Sequence, residues 1–155
     1  IHARSTSSMN HPSQHYIKSM WSQIRWNIPD DYTRICGENL YAQHSIRYEN
    51  LESYFQVFNI WIDSKCLSLD QTLRMCKAMN LIHVPIISTI KFDINEIEKI
   101  YNEVIQSGEE GIVIRNINSF SLDNFQINVA KAVRPNHVQT STHWSKEWKP
   151  NLLKK

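Results

Sequence analysis

Two glutamates and two cations carry the chemistry that this sequence offers. Glu38 follows Gly37, Glu110 lies in Ser107-Gly108-Glu109-Glu110-Gly111, and Lys131 and Arg134 sit in the later run Val129-Ala130-Lys131-Ala132-Val133-Arg134. The chain has only three glycines in 155 residues, all of them beside acids, where about one residue in fourteen is usual. Glycine permits backbone shapes and close approaches that a Cβ forbids, which a phosphate or nucleotide site often requires. Carboxylates can hold Mg²⁺ or a ribose hydroxyl, and cations neutralise phosphate oxygens. Glu38, Glu110, Lys131 and Arg134 converging on one cleft would therefore suit a nucleoside triphosphate. The plain alternative is a set of ordinary turns with solvated acids, since spacing alone does not bring the four side chains together.

The elements that must position these residues follow from hydrophobic period. Pro12 and Ser13 open a helical pattern in which Tyr16, Ile17, Met20, Trp21, Ile24 and Ile28 recur at three- and four-residue spacing, until Pro29 stops it. From Thr33 the period changes to that of a strand or hairpin carrying Gly37-Glu38-Asn39. Residues 54–63, rich in aromatic and β-branched types, read as a buried central strand. Ser68 with Gln71 predicts a capping box, with Leu69, Leu73, Cys76 and Met79 as the inner stripe of the helix that follows. A short strand is predicted over residues 84–90. Asp93 with Glu96 predicts a second capping box, on a helix that ends at Ser107-Gly108. Residues 110–117 and 125–133 are predicted strands joined by a turn at Ser121-Leu122-Asp123-Asn124. Pro135 closes the regular structure, leaving residues 136–155 as a polar tail, docked or free. Strands and helices mix without strict alternation, so the expected class is α+β with largely antiparallel sheets.

Bulk properties bound the rest. Hydrophobic residues make up 41% and charged residues 21%, which suits one soluble globular domain. A net charge of +2 is too small to argue nucleic-acid binding from charge. Cys36, Cys66 and Cys76 form no Cys-x-x-Cys pair and read as reduced core thiols of a cytoplasmic protein, with no zinc site. No apolar run approaches the roughly 18 residues that span a membrane, and no signal peptide is visible.

Four segments together resemble the ATP-dependent RNA ligases, members of the covalent nucleotidyltransferases. Gly37-Glu38-Asn39-Leu40-Tyr41-Ala42 resembles their motif III, and Phe55-Gln56-Val57-Phe58-Asn59-Ile60-Trp61 resembles motif IIIa. Glu109-Glu110-Gly111-Ile112-Val113-Ile114-Arg115 is similar to motif IV, and Val129-Ala130-Lys131-Ala132-Val133-Arg134 to motif V. Order and spacing agree over residues 1–135. His2-Ala3-Arg4-Ser5-Thr6 and the tail around His143-Trp144 resemble the bacterial and phage branch. The resemblance implies a nucleotidyltransferase domain over 1–135, ATP and Mg²⁺ as cofactors, and RNA with 5′-phosphate and 3′-hydroxyl ends as the partner, in RNA repair. It implies that Glu38 contacts the ribose, Phe58 stacks on adenine, Glu110 binds the catalytic metal and Lys131 holds the α-phosphate. Arg4 would touch the nucleotide or the RNA 5′-phosphate. Two positions depart from the family pattern. Asn59 stands where an aspartate is usual, and Val133 fills the place of a second motif V lysine, for which Arg134 is the candidate substitute.

The family's nucleophile is a lysine in Lys-x-Asp/His-Gly, and no lysine here has glycine three places on. Lys91-Phe92-Asp93-Ile94 comes closest, but Asp93 reads as a helix cap. The expectation is that the nucleophile lies upstream of Ile1, so that this piece does not adenylate itself. A non-catalytic nucleotide- or RNA-binding module of the same fold is the alternative.

Overall fold

A computed structural model of the chain describes residues 12–28, 32–43, 46–135 and 149–155. The architecture is α+β and almost wholly antiparallel, as the patterning predicts. Strand β1 (Thr33–Asn39) pairs antiparallel along the whole of β2 (Phe55–Ile62). The other edge of β2 is shared. Its last residues pair with β3 (Lys65–Cys66), while Gln56 and Val57 pair parallel with β4 (Ile82–His83). Strand β6 (Phe120–Ser121) extends the sheet beyond β3. A second sheet has two strands, β5 (Gly111–Arg115) and β7 (Val129–Val133).

One face of the larger sheet carries the main core. Phe55, Val57 and Ile60 of β2 are buried with Leu67, Cys76, Met79 and Leu81. Helix α1 (His15–Ile24) lays Tyr16, Ile17, Met20 and Ile24 on this cluster, so its helical spacing is spent on one apolar stripe. Helix α2 (Leu69–Ala78) begins at the predicted capping box. The Ser68 hydroxyl accepts from the Gln71 amide at 3.2 Å, and the Gln71 side chain accepts from the Ser68 amide at 3.1 Å. Cys76 and Met79 of the predicted stripe are buried in the core, but Thr72 takes the place expected for Leu73. Thr72 and Cys76 face inward and Leu73 is exposed, because the Thr72 hydroxyl is satisfied by the Ser68 carbonyl at 2.9 Å and can be buried without loss. At α3 (Ile94–Gln106) only the Asp93 half of the second box forms, its carboxylate accepting from the amides of Asn95 and Glu96.

Two predicted strands are corrected. Residues 84–90 lie outside any ladder: after the Val84 amide bonds the Val57 carbonyl, Pro85 has no donor, and Ile86 and Ile87 are exposed. Residues 125–128 form one helical turn, α4 (Phe125–Asn128), and only 129–133 is strand. No helix among the described residues is long and apolar enough to cross a membrane.

Candidate functional site

Directly opposed residues of an antiparallel pair project from the same face of a sheet. Glu38 opposes Gln56, Cys36 opposes Asn59 and Arg34 opposes Trp61, so these six share the face turned away from the main core. The register then slips. Cys36 pairs with Asn59 but Gly37 pairs with Val57, which leaves Phe58 as the extra residue of a β-bulge. Its neighbours Val57 and Asn59 are buried, while Phe58 is 38% exposed. A bulge re-aims a side chain that regular pleating would have hidden, and here it presents an aromatic ring beside Glu38's face.

The small sheet meets that same face. Val113 opposes Lys131 and Arg115 opposes Val129, so Lys131, Arg115 and Val129 share a side. Val129 packs against the second buried cluster, Trp61, Cys66 and Phe120, and the Arg115 guanidinium reaches the β-bulge. Lys131 is therefore on the side of the small sheet that turns toward Glu38 and Phe58, and it is exposed there.

The acids gather at one end of this arrangement, around Tyr48. Its phenol is pushed up to about 12, first by burial and then by the negative charges of Glu109, Glu110 and Glu38, with the Glu109 carboxylate beside its hydroxyl. Residues 46–51 and 107–109 line an open depression of about 420 Å³ next to it. The Arg134 amide donates to the Glu110 carbonyl at 2.9 Å, which places the last residue of the basic run against the acid pair. The Nε of Arg134 is buried and has no hydrogen-bond partner among the described residues. Among the same residues, no group of three or more His, Cys, Asp or Glu side chains is arranged to hold a metal ion. Arg4, His143 and Trp144 lie outside the described residues.

The structure thus places Glu38 and Phe58 on the larger sheet, Lys131 on the small sheet that Arg115 ties to it, and Arg134 beside Glu110 at the end of that small sheet. Comparison with known protein families adds the deciding observation: residues 1–133 match the family described as RNA ligase. The chain belongs to the RNA ligase family. Searches of curated proteins and of solved structures found no match. The matched stretch runs to Val133, the last residue of β7, so it includes β1, β2, β5 and β7. Membership supports a ligase function in general terms, with RNA as the substrate class.

Three residues of this RNA ligase family member were given no role on sequence grounds. Arg115 closes the β5 run at the alternating positions 111, 113 and 115, which was a signal of its facing. Tyr48 lies in a polar link and Asn151 in the tail, where nothing local marks them. Asn59, the neutral residue in a place where the resemblance leads one to expect aspartate, is 7% exposed and accepts from Arg115. The three thiols are free, and burial pushes each of them up, so they are thiols and not thiolates at neutral pH.

Proposed function

We propose that the complete protein is an ATP-dependent RNA ligase that uses Mg²⁺. A lysine attacks the α-phosphate of ATP and releases pyrophosphate. The resulting lysyl-adenylate passes AMP to an RNA 5′-phosphate, and a 3′-hydroxyl then attacks that phosphate, releases AMP and seals the strand. The observation that carries this reading is the match over residues 1–133, joined to the facing of the four motif-bearing strands. In it Phe58 stacks on adenine, Glu38 bonds the ribose, and Lys131 and Arg134 neutralise phosphate oxygens. Arg4 would contact the nucleotide or the RNA 5′-phosphate. The Arg134 Nε, without a partner among the described residues, suits an anion, since a buried donor without an acceptor costs about 1–3 kcal/mol.

The residues present also suit Mg²⁺. That ion is commonly held by one or two carboxylates and by substrate phosphates, not by an all-protein cage. Glu110, with Glu38 nearby, supplies such a donor set, and the ion when bound neutralises charge on the α-phosphate.

The deciding experiment is the intact mass of the complete gene product after incubation with Mg²⁺ and ATP, beside its Glu110→Ala variant. One AMP adduct that is lost in the variant is the expected result. A folded, complete protein without an adduct would overturn covalent transfer. The absence of Lys-x-Asp/His-Gly from these 155 residues favours a second reading in that event, a nucleotide- or RNA-binding module without catalysis.

A further inference from the structure

Arg115 reaches from the small sheet to the larger one. Its Nη1 donates to the Phe58 carbonyl at 3.1 Å and to the Asn59 Oδ1, and its Nη2 donates to the Leu67 carbonyl at 3.1 Å. The Cys66 Sγ lies 3.8 Å from Nη2, and the guanidinium sits 5.7 Å from the centre of the Phe120 ring. The Nε donates to the carbonyl of Asn116, the residue just after its own strand, at 3.3 Å. A bulge leaves its extra residue out of the regular ladder, and the Phe58 carbonyl is what Arg115 takes up. Only a planar fork with five donors can hold carbonyls of β2 and of the segment after β3 while its stem stays on β5.

We infer that Arg115 is a positioning residue for nucleotide recognition. By holding the backbone of the bulge and the Asn59 amide, it fixes the direction of the Phe58 ring, and it ties that ring to β5, the strand that begins just after Glu110. The inference rests on the proposed stacking of Phe58 on adenine. It adds a residue that touches no ligand and acts through the bulge. Loss of Arg115 would free the ring and weaken recognition of the base, leaving contacts to the phosphates in place.

The test compares binding of ATP and of inorganic tripolyphosphate by titration calorimetry, using the full chain in four forms: native, Phe58→Ala, Arg115→Lys, and Arg115→Lys with Asn59→Asp. A melt of each form checks that it is folded. Phe58→Ala is expected to lose about tenfold in ATP binding with tripolyphosphate unchanged, the scale of one stacked base. Arg115→Lys is expected to show most of the same selective loss, since an ammonium cannot hold the divergent acceptors together. Adding Asn59→Asp gives that lysine a charged partner at the bulge and is expected to restore part of the ATP preference, which a general loss of stability would not do. If Phe58→Ala loses the preference while a folded Arg115→Lys keeps it, the positioning role is overturned and the stacking stands. If Phe58→Ala changes nothing, the stacking fails and the role of Arg115 falls with it.

Discussion

Gly37 shows how a residue can be marked by sequence for one reason and required for another. Its scarcity beside an acid points to a cradle for a ligand, yet the atoms that would meet its Cβ belong to the sheet itself. An added Cβ would lie 2.5 Å from the Phe55 Cζ and 2.6 Å from the Gln56 carbonyl oxygen. The ring is the smaller obstacle, since it can turn, whereas the carbonyl belongs to a strand paired on both edges. Gly37→Ala is therefore expected to destabilise the protein by about 1–3 kcal/mol, the range for overpacking a well-filled interior. Gly108→Ala serves as the contrast. Apart from its chain neighbours, no described residue comes within 4 Å of a Cβ added there, and its φ of +92° is the main objection. Thermal melts of both variants check the argument, and a Gly37→Ala protein as stable as the native one would sink it. Glu38, Glu110, Lys131 and Arg134 stand out in the sequence because charged residues beside apolar strands are conspicuous by type, and their role in nucleotide binding is a proposal. Arg115 was legible only as a motif letter. Its role depends on a bulge 57 positions earlier, at Phe58, and the bulge depends on Gly37.

Among the elements, what is decided locally was read correctly. The Ser68 and Asp93 caps are short-range hydrogen bonds between neighbours in sequence, and both helices start where those residues stand. Strand length is a different matter. The apolar runs at 84–90 and 125–133 have strand composition, but a ladder needs a partner at the right distance. On β2 the partners of Gln56 and Val57 are Ile82 and His83, just before the first of these runs, and only residues 129–133 of the second run find a partner, on β5. The brevity of β4 has a consequence for pH dependence. The Nδ1–H of His83 donates to the Val84 carbonyl, while Nε2 is buried with no partner among the described residues. Burial holds this imidazole below its ordinary 6.5. The Val84 bond opposes that shift, and the nearby charge of Arg115 adds to it. In the pH range between the folded and unfolded values the unfolded chain binds more protons, so stability falls as pH drops through about 6.5 and continues falling to the depressed folded value. Denaturant unfolding from pH 8 to 5 is expected to show a gentler acid loss in His83→Gln than in the native chain. Equal slopes would mean that His83 is not the group responsible.

At the scale of the molecule, the acidic end of the cleft is held by a residue about a hundred positions away in sequence. Residues 149–155 lie beyond the family match and dock on residues 40–43 and 46–54. Asn151, 1% exposed, is the centre of that joint. Its Nδ2 donates to the Leu40 carbonyl at 2.8 Å and to the Ala42 carbonyl at 3.4 Å, and its Oδ1 accepts from the Tyr48 amide at 2.9 Å. Its own carbonyl accepts from the Tyr54 hydroxyl at 3.1 Å, and Tyr54 packs edge-on against Tyr16 and Tyr41. Lys149-Pro150-Asn151 reads as loop, and no local pattern reveals partners so distant. Asn151→Ala leaves two carbonyls and one amide unsatisfied. Each such group costs about 1–3 kcal/mol if it stays dry, and partial wetting makes about 2–4 kcal/mol the expected total. The same substitution releases the segment that brings Tyr48 to Glu109 and Glu110. The Tyr48 phenol, pushed up to about 12 in the folded chain by burial and the neighbouring acids, is then expected to fall toward the ordinary value of about 10. Absorbance of the phenolate, assigned by subtracting a Tyr48→Phe variant, reads that fall directly. A folded Asn151→Ala protein whose Tyr48 still titrates near 12 would show that residues 46–51 hold their place without the joint, and Asn151 would then contribute stability alone.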